Sequence, residues 1–125
     1  MRYKRLTLIS LSITFAVTSS YTECTGSNGR GWGQGKGNGQ FEMAAADGHC
    51  MISFPGFIND TTNTRIPATE LALTKAPSSG TIGKSASGIV YTPQPGFRGT
   101  DTFCTRNTSP EVRGTLSGCV SVTVR

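Results

Sequence analysis

The sequence predicts an all-β protein in which short antiparallel strands pack as a sandwich or a barrel. Segments with strand-like patterns recur along the chain and are separated by clusters of Gly, Pro and Ser. The 16 glycines and 6 prolines among 125 residues disfavour long helices, and no long amphipathic helical pattern is present. This length corresponds to one domain.

The first 22 residues have the layout of an export signal. A basic start with Arg2, Lys4 and Arg5 precedes an uncharged, mostly apolar run over residues 6–17, and small residues follow. This run is shorter than the roughly 20 residues that span a bilayer. We therefore predict a signal peptide at 1–22, no transmembrane segment in the mature chain, and a secreted, periplasmic or cell-surface location.

Removal of that segment changes the charge of the protein. Without the three basic residues of the signal, the formal net charge falls from +5 to +2. The basic isoelectric point then no longer argues for a nucleic-acid partner, and we expect none.

Residues 26–40 alternate glycine with mostly polar residues, and only Trp32 offers a large apolar surface. Glycine loses much conformational freedom when it is ordered, so we predict a flexible segment over residues 23–40. The glycine spacing does not match a phosphate-binding loop. An alternative is a contact patch in which Arg30, Trp32 and Lys36 bind polysaccharide, nucleic acid or a membrane surface.

The globular part is predicted from residue 41 to residue 125. Its candidate strands, in order, cover residues 50–54, 70–74, 89–92, 102–105 and 119–124, with shorter ones near 57–58 and 81–82. A single helical turn is expected within residues 43–47. Turn signals such as Pro55-Gly56 and Ser109-Pro110 separate these segments.

Four cysteines follow the export signal, namely Cys24, Cys50, Cys104 and Cys119. An even number in an exported chain predicts two disulfides, for which three pairings exist. The valines of 120–124 alternate with polar residues, so Cys119 points away from the core, and Phe103 as a core residue gives Cys104 the same orientation. If these two strands are antiparallel neighbours, Cys104 bonds Cys119 across the ladder and Cys24 bonds Cys50.

The segment 91–103 is typical of a strand, a corner and a second strand. Tyr91 and Phe103 supply large rings on the two strands. Pro93 ends the first strand, because proline lacks the N–H that a β-ladder needs.

The corner between these strands has its own expected residues. Gly96 and Gly99 allow positive φ angles. Phe97, between them, can fold back over the end of the core. Asp101 can accept backbone N–H groups of the turn.

The same residues carry a resemblance to a known family. The stretch Y-T-P-Q-P-G-F-R-G-T-D-T-F at 91–103, together with 76–82 and the valine-alternating strand at 120–124, resembles the bacterial Ig-like or cadherin-like repeat. The resemblance covers residues 50–125. It implies an antiparallel Ig-like β-sandwich of the kind found in surface proteins, although most such repeats lack the cysteines.

The polar residues do not form a recognisable catalytic set. His49 is the only histidine, and it adjoins Cys50, which would point to the opposite face of a strand. Asn59, Asp60 and Asp101 offer three oxygen ligands, whereas calcium takes six to eight. We therefore expect no enzymatic activity, no metal and no cofactor. Asn59 and Asn107 each begin a glycosylation acceptor pattern.

These observations predict a non-catalytic exported module with a structural or adhesive binding role. We expect it to use its loops or an exposed strand edge. A protein or a cell-envelope polysaccharide is the expected partner. The alternative is a small secreted effector or inhibitor that binds a protein through the same loops.

Overall fold

The structure is a computed structural model that describes residues 24–125. This part of the chain contains ten β-strands and two short 3-10 helices. The predicted signal peptide at 1–22 lies outside the described residues. The strands are β1 (Thr25–Ser27), β2 (Gly37–Met43), β3 (Cys50–Ile52), β4 (Gly56–Asn59), β5 (Thr64–Pro67), β6 (Glu70–Lys75), β7 (Gly80–Lys84), β8 (Ile89–Pro93), β9 (Gly99–Ser109) and β10 (Val112–Val124). The 3-10 helices are Trp32–Gln34 and Ala45–Asp47.

These strands form three sheets. The largest has the order β1-β2-β10-β9-β6, the second has the order β3-β8-β7, and β4 pairs only with β5. Every pairing is antiparallel except that of β2 with β10, which is parallel. The all-β class with antiparallel sheets is therefore confirmed, and the parallel pair is an addition to it.

The five-stranded and the three-stranded sheets both contribute residues to one hydrophobic core. Inward-facing residues of β10 alternate as predicted, with Val120, Val122 and Val124 buried. The rings of Tyr91 on β8 and Phe103 on β9 are fully buried and stacked, with their centroids 6.4 Å apart. Because these two strands belong to different sheets, this ring pair is part of the contact between the sheets.

The structure corrects the prediction of a flexible glycine-rich segment at 23–40. From residue 24 this segment contains β1, one 3-10 helix and the first half of β2. Its alternation of glycine with polar residues is the alternation of a strand: Gly37 and Gly39 are buried, and the residue between them is exposed. The same pattern continues in register to the buried residues Phe41 and Met43.

Glycine is required at positions 37 and 118 because the two backbones and the ring of Trp32 approach one another closely. A Cβ atom on Gly37 would lie 2.2 Å from the ring of Trp32, and one on Gly118 would lie 2.3 Å from the Cα atom of Gly37. Gly37 and Gly118 are partners in the parallel β2–β10 register. Trp32 is buried, and its indole Nε1 donates a hydrogen bond to the carbonyl of Asn28 at 2.7 Å. The tryptophan therefore fills the space that a side chain on Gly37 would occupy.

This packing predicts a large stability difference between two glycine substitutions. Gly37→Ala should lower the free energy of unfolding by about 2–3 kcal/mol, because the added methyl group overlaps the Trp32 ring. Gly33→Ala is the matched control: a Cβ atom there meets nothing within 4 Å, so a change within about 0.5 kcal/mol is expected. Urea denaturation measures both. Equal effects would contradict the packed structure of this segment.

Candidate functional site

Both disulfide pairings predicted from the strand faces are confirmed. Cys104 and Cys119 are direct partners in the β9–β10 register and are bonded to each other. The second bond joins Cys24, just before β1, to Cys50 at the start of β3. It therefore links the five-stranded to the three-stranded sheet. No cysteine in the described chain is left free.

A buried carboxylate, that of Asp101 on β9, forms a polar link between the sheets. This residue is only 4% exposed. Its two oxygens accept the backbone N–H groups of Ser78 and Ser79, each at 2.9 Å, and the hydroxyl of Tyr91 at 2.8 Å. A further N–H comes from Thr102 at 3.0 Å. We name these four donors and the carboxylate the Asp101 clamp.

The clamp differs in one respect from the sequence-based expectation. The sequence predicts that Asp101 accepts N–H groups of its own turn, and Thr102 is such a donor. Ser78 and Ser79 instead belong to the connection between β6 and β7, more than 20 residues earlier in the chain. The carboxylate therefore fixes the entry of β7 to β9 through charge-assisted hydrogen bonds.

The other residues of segment 91–103 lie around the clamp. β8 ends at Pro93, and Gly96 and Gly99 have φ angles of 83° and 133°. Phe97 is half-buried at the margin of the core, and its N–H donates to the carbonyl of Gln94 at 3.0 Å. The segment is thus a strand, a tight corner and a strand, and its residues have structural contacts.

Two further polar side chains on β9 are buried and hold the chain that leads into β6. The Asn107 amide donates to the carbonyl of Ala68 at 3.1 Å, and its oxygen accepts the hydroxyl of Thr105 at 2.6 Å. Asn107 is fully buried. Its glycosylation pattern is therefore inaccessible in the folded protein, whereas Asn59, the last residue of β4, is exposed.

The β4–β5 hairpin projects from this anchored region. It is a two-stranded sheet of its own, and its base is held by the hydrogen bond from the N–H of Ala68 to the carbonyl of Pro55 at 2.9 Å. The Arg65 guanidinium donates to the carbonyl of Phe54. At the tip, Asn59 accepts the N–H of Thr61 at 3.0 Å, which rigidifies the turn.

The hairpin exposes a large apolar side chain next to its tip. Ile58 is 69% exposed, the highest value for a large hydrophobic residue in the described chain. The hairpin also lies against the start of β10, since a Cβ atom on Gly114 would be 3.5 Å from the ring of Phe57. We call the β4–β5 hairpin together with residues 109–114 the hairpin end. Its exposed charged residues are Asp60, Arg65, Glu111 and Arg113.

The three candidate calcium ligands have different surroundings. The amide oxygen of Asn59 accepts a backbone N–H of the hairpin turn, and Asp60 in that turn is exposed. The carboxylate of Asp101 instead accepts the hydrogen bonds of the clamp. Within residues 24–125, no group of three or more His, Cys, Asp or Glu side chains is arranged to hold a metal ion.

His49 lines a shallow depression of about 220 Å³ next to β7 and β8. Its ring Nδ1 lies 2.9 Å from the hydroxyl of Thr92, and Thr81 and Lys84 complete the polar lining.

Comparisons with known proteins do not add a family assignment: no family model matches the chain, and neither a curated protein nor a solved structure matches it. Across residues 24–125, no helix has the length and apolar character needed to cross a membrane.

The clamp predicts a large effect of a single isosteric substitution. Asp101→Asn should lower the free energy of unfolding by about 2–4 kcal/mol, because an amide NH₂ would face donors that now bind a carboxylate oxygen. Asp60→Asn on the exposed hairpin turn is the matched control and should change it by less than about 0.5 kcal/mol. Chemical denaturation of the two variants would refute the clamp if their stabilities were equal.

The clamp also predicts a loss of stability at alkaline pH. Burial, and secondarily the hydrogen bond to Asp101, raise the pKa of Tyr91 above its ordinary value near 10. The folded protein then retains a proton that the unfolded chain releases. Its contribution to stability is complete below pH 10 and declines as pH rises towards the folded pKa, by at most about 1.4 kcal/mol per pH unit.

The measurement for this prediction is the free energy of unfolding between about pH 9 and pH 11, a range that brackets the ordinary tyrosine pKa. Tyr91→Phe should have a flatter profile than the unsubstituted protein over this range. Parallel profiles would show that Tyr91 is not the group responsible.

Proposed function

We propose that the protein is an exported, non-catalytic binding module of Ig-like sandwich architecture, and that it binds a protein partner through the hairpin end. The strand order supports the architecture. If β3, β6, β7, β8, β9 and β10 are lettered B to G, the two sheets contain B-E-D and C-F-G. Immunoglobulin constant domains divide the same strands between their two sheets.

Export is supported by the cysteines and by the start of the sequence. Both disulfides suit an oxidising compartment, where such bonds form and persist. The basic and apolar residues of 1–22 have the order of a secretory signal.

The observation that carries the functional proposal is the β4–β5 hairpin. It pairs with neither larger sheet, and among its side chains only Phe57 packs against the core. Ordering such an insertion has an entropic cost that this single contact offsets little. Yet its base and its turn are fixed by hydrogen bonds. Rigidly positioned surface insertions of this kind are typical of recognition sites.

The composition of the hairpin end favours a protein partner over a polysaccharide. Ile58 is the apolar centre of this surface, its register partner Arg65 is cationic, and Asp60 in the adjoining turn is acidic. The exposed charges of Glu111 and Arg113 belong to the neighbouring residues 109–114. An apolar centre with a charged rim is the usual arrangement of protein–protein interfaces. Ile58, on this surface, is the most exposed large apolar side chain of the described residues.

Substitution of Ile58 tests the proposal. The purified protein, immobilised, is incubated with an envelope extract of the producing cells, and the retained material is quantified. Ile58→Asp should lower retention about tenfold or more, because a charge replaces the apolar centre. Gln94→Asp, on an exposed turn of segment 91–103, adds the same charge and should retain as much as the unsubstituted protein. Both variants should remain folded.

Two treatments separate the alternatives. Protease digestion of the extract should abolish retention, whereas removal of polysaccharide should not. Retention only of protein from another organism would favour the effector or inhibitor alternative. Equal retention by the Ile58 and Gln94 variants would contradict the assigned surface. Turnover of a model substrate that disappears in a His49→Ala variant would contradict the non-catalytic role.

A further inference from the structure

The strand β6 forms an open edge of the five-stranded sheet. In the described chain it pairs only with β9, and all of its residues except Leu71 are exposed. Leu73 is a large apolar side chain on this edge and is 42% exposed. The free side of an edge strand presents backbone N–H and C=O groups to which another strand can bond.

The register of β6 on β9 assigns each residue to one side of the sheet. Leu71 and Leu73 are the partners of the buried residues Asn107 and Thr105, so they lie on the inner side. The remaining partners of β9 are Glu70, Ala72 and, after a bulge, Lys75; these lie on the outer side.

We infer that two copies of this chain associate through β6, antiparallel to each other, about a two-fold axis at Ala72. A two-fold axis perpendicular to the sheet places the outer faces of both copies on the same face of the combined sheet. Two residues that oppose each other across the axis must therefore both be outer residues or both be inner residues. With Ala72 opposite its own copy, Leu71 opposes Leu73 of the second copy. Glu70 then lies beside Lys75 of the second copy.

This register satisfies three separate requirements at once. The exposed Leu73 is covered by a leucine on the inner side. The residue at the axis is small, which allows the two backbones to approach. The two ends of the strand carry opposite charges, so antiparallel pairing places Glu70 and Lys75 together twice, once on each side of the axis. This self-complementarity favours a second copy over an unrelated extended peptide.

The association is expected to be weak. A contact of one six-residue strand with its copy is smaller than the interfaces of stable dimers. The dimer should therefore form reversibly as the protein concentration rises. This inference is independent of the proposed function, because it concerns the β6 edge and not the hairpin end.

Charge exchange across the axis tests both the contact and its register. Sedimentation equilibrium of the purified, disulfide-bonded protein between about 10 µM and 1 mM gives the dimer dissociation constant, over a range expected for small interfaces. Glu70→Lys and Lys75→Glu should each raise this constant about tenfold or more, because each replaces two opposite-charge pairs by two like-charge pairs. The double variant should restore dimerisation. Glu111→Lys is the control for net charge and should leave the constant unchanged.

Amide hydrogen exchange of the same samples locates the contact. At high concentration the amides of β6 that point away from β9 should be protected relative to low concentration, and this difference should vanish in Glu70→Lys. A protein that is monomeric throughout the concentration range would overturn the inference. So would a dimer that neither single variant weakens, or one that the double variant fails to restore.

Discussion

The buried carboxylate of Asp101 is the interaction on which the arrangement of the two larger sheets depends. It lies on β9 and binds the hydroxyl of Tyr91 on β8 and two N–H groups that precede β7. A buried charge is stable only when its hydrogen-bonding capacity is satisfied, and here four donors surround it. The position of β7 is therefore fixed by the same group that holds β8 against β9.

The disulfides and the packed glycines act on other parts of the same frame. The Cys24–Cys50 bond links the N-terminal end to β3, and Trp32 covers the contact between Gly37 and Gly118. The hairpin end and the β6 edge are positioned by this frame but contribute little to its core. The hairpin end and the β6 edge are therefore the two elements through which we propose that this frame contacts other molecules.

Much of this frame could be predicted from local sequence patterns. The alternation of the valines in 120–124 indicates the side on which Cys119 lies, and Phe103 indicates the side of Cys104. Together with antiparallel pairing of the two strands, these sides select both disulfides among three pairings. The strand, corner and strand of 91–103 follow from proline, glycine and aromatic residues at particular positions. Both the side on which a residue of a strand lies and the position of a corner depend on residues that are close together in the sequence.

The rest depends on contacts that neighbouring residues do not reveal. The composition of the glycine-rich segment predicts flexibility, and that prediction is wrong. The usable signal is its period of two, which continues without a break into Phe41 and Met43. The donors from Ser78 and Ser79 to Asp101 are remote in sequence, so no local pattern could indicate them. The strand β5 has only Ile66 as an apolar aliphatic residue and becomes a strand because β4 pairs with it.

The most direct test of the clamp is the exchange rate of the amide hydrogens of Ser78 and Ser79. Both residues lie in a connection between strands, where Ser78 is exposed and an unbonded amide would exchange rapidly. If the Asp101 carboxylate binds both N–H groups, their exchange should be slowed by about a thousandfold or more, as for amides that open only with the sheets. Ala86, in the exposed turn between β7 and β8, is the reference for rapid exchange. Exchange of Ser78 and Ser79 as fast as that of Ala86 would contradict the account.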